Sequence, residues 1–226
     1  METEPLFEVT SAAATAAARR LTTAAKVQAV ALAGATTDTT LIESMIDRVS
    51  ALAAGYCGLA RDAIGTFPTF GRETCRATWW AAGCAARPPL LLLPWRVPIV
   101  SITSVVEDGE TLVASDDYAL QPAGMLQRLS DDTPICWSAG KIVVTYVTGW
   151  NIPTADVVPP DVEAAIIDQV KTMYLGRDRD GALRSETVFD VHQAAYSTGG
   201  GSDIGASGLL VTVEGALAPY KNWSAG

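Results

Sequence analysis

The sequence has a single histidine, His192, and only four cysteines, Cys57, Cys75, Cys84 and Cys136, with no Cys-x-x-Cys pair among them. Nucleophilic Ser/His/Asp catalysis needs a histidine oriented by its surroundings, and His192 sits in an irregular polar stretch, so a structural or exposed role is its plainer reading. Zinc and dithiol redox sites need closely spaced thiols, which leaves these cysteines as reduced, mostly buried thiols of a cytoplasmic protein, with a disulfide between two of them still open. Basic residues are also scarce: 16 against 25 acidic ones, a net charge of -9. That balance disfavours a fixed-sequence DNA or RNA reader, which works through a basic face, whereas DNA can pass an acidic surface without being gripped. Long hydrophobic runs are missing too. No segment reaches the roughly 18 uncharged apolar residues of a membrane span. The Ala-rich stretch from Ser11 to Ala33 is broken by Arg19, Arg20 and Lys26, and Glu2 and Glu4 stand where a secretory signal carries positive charge.

What the chain does have is apolar content. With 49% hydrophobic and 18% charged residues over 226 positions, it lies far from disordered compositions and is long enough for one main domain with appended segments. Residues 1–20 are small and polar with no clear apolar face, and read as an arm ordered by a neighbour if at all. Thr22 and Thr23 offer an N-cap for a short helix running to Leu32, with Gly34 as a stop. A longer helix starts at the capping box Thr40–Glu43, repeats Leu41, Met45, Ile46, Val49, Leu52, Ala53 and Tyr56 at helical spacing, and ends at Gly58. Phe67 to Trp80 reads as strand, and Arg87-Pro88-Pro89 separates it from the apolar run Leu90 to Leu93. Asp108-Gly109 turns the strand Ile99–Val106 into Thr111–Val113, and Ala123-Gly124 turns Tyr118–Gln121 into Met125–Leu129. Lys141 to Val147 is apolar on both faces, which calls for burial on both. Pro159-Pro160-Asp161 opens a helix with the stripe Val162, Ala165, Ile166, Gln169, Val170 and Met173, closed by Gly176. Beyond Arg177 the chain turns polar and Gly-rich, and Leu209 to Trp223 regains apolar character. An apolar segment on a flexible leash reads as one that docks on a partner.

The chemistry-bearing clusters favour bland roles. Asp116-Asp117 and Asp131-Asp132 are conceivable cation ligands, but both lie beside turns, where aspartate is favoured for backbone reasons. Gly199-Gly200-Gly201 lacks the Lys-Ser/Thr ending of a phosphate loop and reads as linker. Trp79, Trp80 and Trp95 lack a basic groove, having only Arg72, Arg76, Arg87 and Arg96 scattered nearby, and read as core or interface aromatics rather than a stacking platform.

The order of these segments resembles the head-tail connector (adaptor) family of long-tailed bacteriophages and gene transfer agents. The resemblance runs from about Arg20 to Trp223. It rests on Arg20-Leu21-Thr22-Thr23, the Thr40–Gly58 helix with its Ala-Gly-Tyr-Cys-Gly end, and the stretch Leu93-Pro94-Trp95-Arg96-Val97-Pro98-Ile99 through Val105. Asp117-Tyr118-Ala119-Leu120, Val143 to Trp150, Val158-Pro159-Pro160-Asp161-Val162 and Leu217-Ala218-Pro219-Tyr220-Lys221 complete it. The arm before Arg20 and the Gly-rich stretch Phe189–Gly208 depart from the family pattern.

The fold class expected is α+β: a small helical bundle core with an inserted antiparallel β-region and an extended C-terminal tail, in a ring-forming subunit. The boundaries expected are an arm over 1–20, a core over 21–176 (helices 22–33, 40–57 and 161–175, β-region 67–150), a linker over 177–208 and a docking segment over 209–226. The resemblance implies a homo-oligomeric ring, usually twelvefold, that binds the portal protein, lets double-stranded DNA through its channel, meets a stopper or tail-terminator protein on the tail side, sits in the virion at the head-tail interface after assembly in the host cytoplasm, and has neither enzymatic activity nor cofactor. Within it, Leu210, Val211, Val213, Leu217, Tyr220 and Trp223 are the candidate portal-docking residues. Met45, Val49, Leu52, Tyr56, Ile166, Val170 and Met173 are the candidate subunit core or interface. The alternatives are a stopper or tail-terminator subunit and, from another class, a ligand-binding or enzymatic domain with a pocket lined from Phe67 to Trp80.

Overall fold

The computed structural model describes residues 5–11, 15–32, 38–59, 68–80, 87–94, 98–152, 158–177, 185–188, 192–195 and 204–221. Helices and antiparallel sheets give an α+β chain in two units. A helical unit takes in the described residues of 15–58 and 152–221, and a β unit interrupts it in sequence, taking in those of 59–151 together with the N-terminal strand.

In the helical unit, α1 (Ala24–Ala31) is capped by Thr23, whose hydroxyl accepts from the Lys26 amide at 3.3 Å. α2 (Thr39–Tyr56) starts one residue before the expected capping box, because Asp38 supplies the cap by accepting from the Leu41 amide at 3.2 Å. A carboxylate there answers both an orphan N–H and the positive end of the helix dipole. α3 (Pro160–Gly176) opens on a proline that has no N–H to leave unpaired, with Asp161 and Glu163 in its first turn. Buried Ile42, Ile46, Val49 and Ala53 of α2 and Val162, Ile166 and Val170 of α3 follow the three-and-four spacing of a core-facing stripe. Polar ties set the pitch of the helices: the Leu21 amide donates to Ser50 Oγ at 3.1 Å, Arg20 forks onto Asp47 at 2.7 and 3.0 Å, and Lys26 and Thr22 both reach Glu163. No helix among the described residues is long and apolar enough to cross a membrane.

In the β unit, five antiparallel strands run in the order β1 (Leu6–Ser11), β2 (Glu73–Trp79), β9 (Ile142–Thr148), β4 (Ile99–Glu107) and β5 (Glu110–Thr111). A second sheet has the order β3 (Leu90–Leu92), β7 (Met125–Ser130), β6 (Tyr118–Gln121), and β8 (Thr133–Pro134) pairs with the far end of β7. The two sheets share one core, in which Ile142, Val144 and Tyr146 of the central strand meet Cys75, Ala77, Val105, Leu91, Leu126 and Trp137. The alternate residues of β9, Val143, Thr145 and Val147, are half-buried, in keeping with a strand apolar on both faces. The aromatic polar tips are paired with loop carbonyls: Tyr146 Oη donates to Pro94 O and Trp137 Nε1 to Pro89 O, both at 3.0 Å.

Both hairpins read from the sequence form. Asp108 and Gly109 take φ of 51° and 92°, as a two-residue type I′ turn demands. Asp131 and Asp132 do the same at 50° and 59° between β7 and β8, so this pair serves backbone geometry, a conformation aspartate tolerates better than most residues. Gly149, at φ 95°, has the Gly71 and Phe70 carbonyls where a Cβ would project, so a side chain there would displace the turn that carries Trp150 onto Phe70.

Three expectations need correction. Residues 6–11 are not an arm awaiting a neighbour: they pair with β2 from Leu6↔Thr78 to Ser11↔Thr74, with Val9 2% exposed, because Phe7 and Val9 punctuate a short β-prone run. The stretch assigned as linker contains an antiparallel pair, β10 (Ser185–Val188) with β11 (His192–Ala195). Strand β2 starts only at Glu73, six residues inside the expected strand limits of 67–80, and Phe70 stacks instead on Trp150 at 4.9 Å between ring centres. Gly34, Cys84, Trp95, Arg96, Gly199-Gly200-Gly201 and Trp223 lie outside the described residues.

Candidate assembly surfaces

The C-terminal segment is the first candidate, and much of it is committed to its own chain. Ile204 bridges Leu210, and the Gly205 amide donates to Leu209 O at 2.7 Å, closing a turn ahead of α4 (Val211–Leu217). Glu214 reaches back to accept from Ser207 Oγ at 2.5 Å, and a Cβ on Gly205 would collide with that carboxylate. Buried Gln169 of α3 accepts the Leu210 amide at 2.7 Å, while the Asp161 charge bears on Tyr220 near the other end of α3. The start of α4 is thereby tied to the middle of α3. Leu209, Val213 and Leu217 are fully buried, Leu217 O accepts from the Cys57 thiol, and Lys221 Nζ lies 4.8 Å from the Tyr56 ring centre. Burial pushes the Cys57 thiol up to about 12, with the Lys221 charge pulling slightly the other way.

The expected docking set therefore divides. Val213 and Leu217 are core side chains and are not free to enter a partner, because a one-turn-spaced pair on an amphipathic helix buries itself on the nearest apolar surface, here α2 and α3. Val211 is 50% exposed, Leu210 and Tyr220 are half-buried, and Ile204, absent from the expected set, is 46% exposed beside Leu210. Burial also pushes the Tyr220 hydroxyl above the ordinary tyrosine range, an effect reinforced by Asp161.

The expected core or interface set divides the same way. Val49, Ile166 and Val170 are fully buried; Met45, Leu52, Tyr56 and Met173 are half-buried along the margin of the stripe. Ile42, Ile46, Ile167 and Tyr174 take the deeper places. Helical spacing gave the face to within about one position of rotation, since neighbouring apolar residues on α2 satisfy the same period.

The β unit presents two contrasting surfaces. At the end where β4 finishes and β6 begins, Arg128 holds Glu107 at 2.8 Å, donates to the Asp117 and Leu129 carbonyls at 2.8 and 2.6 Å, and lies 3.5 Å from Asp117 Oδ1. Glu107 also accepts the Ser138 amide at 2.7 Å, and buried Arg87 satisfies the Ser138, Gly140 and Trp80 carbonyls. Around this network, Asp108, Glu110, Asp116, Asp131 and Asp132 are exposed, so this end is an acidic pole. Trp80, 55% exposed there, is covered on one face by Lys141, 4.6 Å from the ring centre, a cation–π contact rather than a free stacking platform.

The second surface is the outward face of the β3-β7-β6 sheet. Pairing puts Leu90 opposite Gln127 and Ala119, Leu92 opposite Met125 and Gln121, and Leu129 opposite Pro134, all on the side away from buried Leu91 and Leu126. Among the described residues of these strands, no charged side chain lies on that face. Leu92 is 62% and Leu90 41% exposed, and Gln121 and Gln127 are joined by an amide hydrogen bond of 2.7 Å. The sequence signal for it was the run Leu90–Leu93, in which successive leucines must point to opposite faces of a strand. The Arg128–Glu107 tie had no local signal, since its members are 21 residues apart.

Among the described residues no three His, Cys, Asp or Glu side chains converge as metal ligands, and Cys57 and Cys136 are free thiols, the second of them exposed. The acidic pairs near Asp117 and Asp131 are spent on turns and on Arg128.

No protein-family model matches the sequence, and no curated protein matches it. Its fold is similar to that of a chain in the neck of an empty GTA particle computed with C6 symmetry, with a TM-score of 0.51 and 14% identity over 96% of this chain and 95% of that one. A chain of the virion of the native gene transfer agent particle also aligns, at a TM-score of 0.47 and 14% identity over 79% of this chain and 89% of that one. The first of these likenesses is one of fold, and it is in keeping with the α+β fold that the connector resemblance implies.

Proposed function

We propose that this protein is a structural subunit of the head-tail joint of a phage-like particle, an adaptor that assembles with its own copies into a ring, docks on the portal, extends the DNA channel and offers a platform for the tail. The observation that carries this reading is the fold likeness to a neck chain over nearly the full length of both chains, found independently of the sequence motifs that point to the same family. A sixfold axis is contained in a twelvefold one, so the symmetry of that neck is compatible with twelve copies as well as six. The role needs no catalytic group and no cofactor. A net charge of -9 suits a conduit through which DNA slides, because like charge discourages gripping of phosphates.

Within this reading the portal-docking patch is the corner of the C-terminal segment formed by exposed Ile204 and Val211 and half-buried Leu210, with half-buried Tyr220 past the opposite end of α4, rather than a free tail. Modest apolar contacts repeated around a ring sum to a durable joint. Val211→Asp is expected to leave the melting temperature nearly unchanged, since the side chain is half exposed, and to abolish retention on purified portal rings. Pull-down followed by negative-stain imaging reads both the binding and the ring. Retention of the variant at the wild-type level removes the docking assignment; binding of the wild type to tail tube but not to portal moves the protein to the stopper or tail-terminator reading.

A further inference from the structure

We infer that Glu214 is a positioning residue for docking: it fixes residues 204–210 in the shape that sets Ile204 and Leu210 beside Val211. This rests on the docking corner proposed above. The loop has little of its own to hold it. Gly205, Ala206, Ser207 and Gly208 carry nothing apolar larger than a methyl, and glycine loses more freedom on ordering than any other residue. Its order comes from hydrogen bonds. Ser207 Oγ donates to Glu214 Oε1 at 2.5 Å, the short distance of a hydroxyl on a charged carboxylate, and accepts from the Leu209 amide at 3.2 Å. The Ser207 amide donates to the same carboxylate oxygen at 3.4 Å. Within this clasp the Gly205 amide meets Leu209 O at 2.7 Å and the Gly208 amide meets Gly205 O at 3.0 Å. Both glycines are required by the shape: Gly208 sits at φ 82°, and a Cβ on Gly205 would collide with the Glu214 carboxylate.

The needs of α4 alone do not account for this wiring. Its N-cap is Leu210, which has no side-chain acceptor to offer, where Ser, Thr, Asp or Asn would stabilise the helix. The Leu210 amide is satisfied from α3 by Gln169 instead. The half-buried polar pair Glu214 and Ser207 is turned onto the loop, while Ile204 and Val211 stand in solvent. A loop shaped only for stability would do the reverse. A surface already held in its bound shape loses less freedom on docking, so the same contacts give a higher affinity. Glu214 therefore acts on the partner through the loop, without touching it.

The test measures binding of the full chain to immobilised portal rings at low coverage, where copies bind one at a time, for wild type, Glu214→Ala, Glu214→Gln and Val211→Asp. Hydrogen exchange at the Gly205 and Gly208 amides of the free protein reports the order of the loop, and thermal melting reports the fold. Glu214→Ala is expected to speed that exchange, to melt nearly like wild type, and to bind roughly ten- to a hundredfold more weakly, as when one or two backbone residues must be ordered on docking. Glu214→Gln keeps an oxygen for Ser207 and should restore most of the affinity. If Glu214→Ala melts early, Ser207→Ala, which removes the same hydrogen bond without altering α4, takes its place with the same expected loss. Wild-type affinity in the variant that carries the test, beside lost binding in Val211→Asp, overturns the positioning role and leaves the docking corner standing. Full binding by Val211→Asp, or none by wild type, overturns the docking corner and this inference with it.

Discussion

A chain ending at Gly208 is expected to lose the cooperative unfolding of its helical unit, not merely a docking function. The deletion removes Leu209, Val213 and Leu217, each fully buried, and strips the apolar surface of α2 and α3 that they cover. At about 1.5–3 kcal/mol for each large apolar side chain, the loss is of the order of the whole stability of a typical domain. It also leaves Gln169, 5% exposed and acceptor to the Leu210 amide, without that partner, and opens the Cys57 thiol to solvent. Circular dichroism melting of the truncated and full chains checks this. A sharp wild-type-like transition would mean that the C-terminal helix contributes little and that the leash reading of the sequence was nearer the truth. The consequence for experiment is that truncation cannot probe docking, and the point change at Val211 must.

Arg128→Met should be the most damaging single change in the β unit. The guanidinium is 14% and its partner Glu107 11% exposed, and the pair ties the end of β4 to β7 while Arg128 also serves two carbonyls. Removing one member of a buried, hydrogen-bonded pair leaves the other charge desolvated, at a cost of about 3–5 kcal/mol. Glu107→Gln, which keeps the hydrogen-bonding shape and the acceptor for the Ser138 amide, should cost markedly less. Denaturant titration of the two variants and their combination gives the coupling between the sites. Equal, small losses in both would show that the pair behaves as an ordinary surface contact.

Local signals were legible in the sequence and non-local ones were not. The Asp108-Gly109 turn, the Ala123-Gly124 hairpin, the central strand Ile142–Thr148 and the proline start of α3 all depend on residues next to one another, and all were readable. Strand β1 was missed because its evidence is its partner: Val9 is buried against Cys75 across 66 positions of sequence. The C-terminal segment was misjudged for a related reason. Its apolar residues signalled burial, but nothing in their spacing said whether the covering surface belonged to this chain or another, and a Gly-rich stretch before them favoured the wrong choice. Of the candidate residues, Val49, Ile166 and Val170 proved central, whereas Met45, Leu52, Tyr56 and Met173 flank the stripe because an α-helical period fixes a face, not the depth of each residue on it.

In the ring proposed above, the acidic pole has a consequence for how copies gather. Rotational symmetry turns every copy about one axis, so whatever direction the pole of one subunit points along that axis, the poles of all the others point the same way. Carboxylates that are tolerably spaced on one chain then crowd into a single crown, and closing the ring raises the local density of negative charge. Each added copy must draw in mobile cations to offset it, so closure is accompanied by ion uptake and is favoured as ionic strength rises. That dependence is opposite in sign to the one seen when a basic protein sheds counterions on binding DNA. A joint built this way would stay closed in salt while releasing the DNA that runs through it.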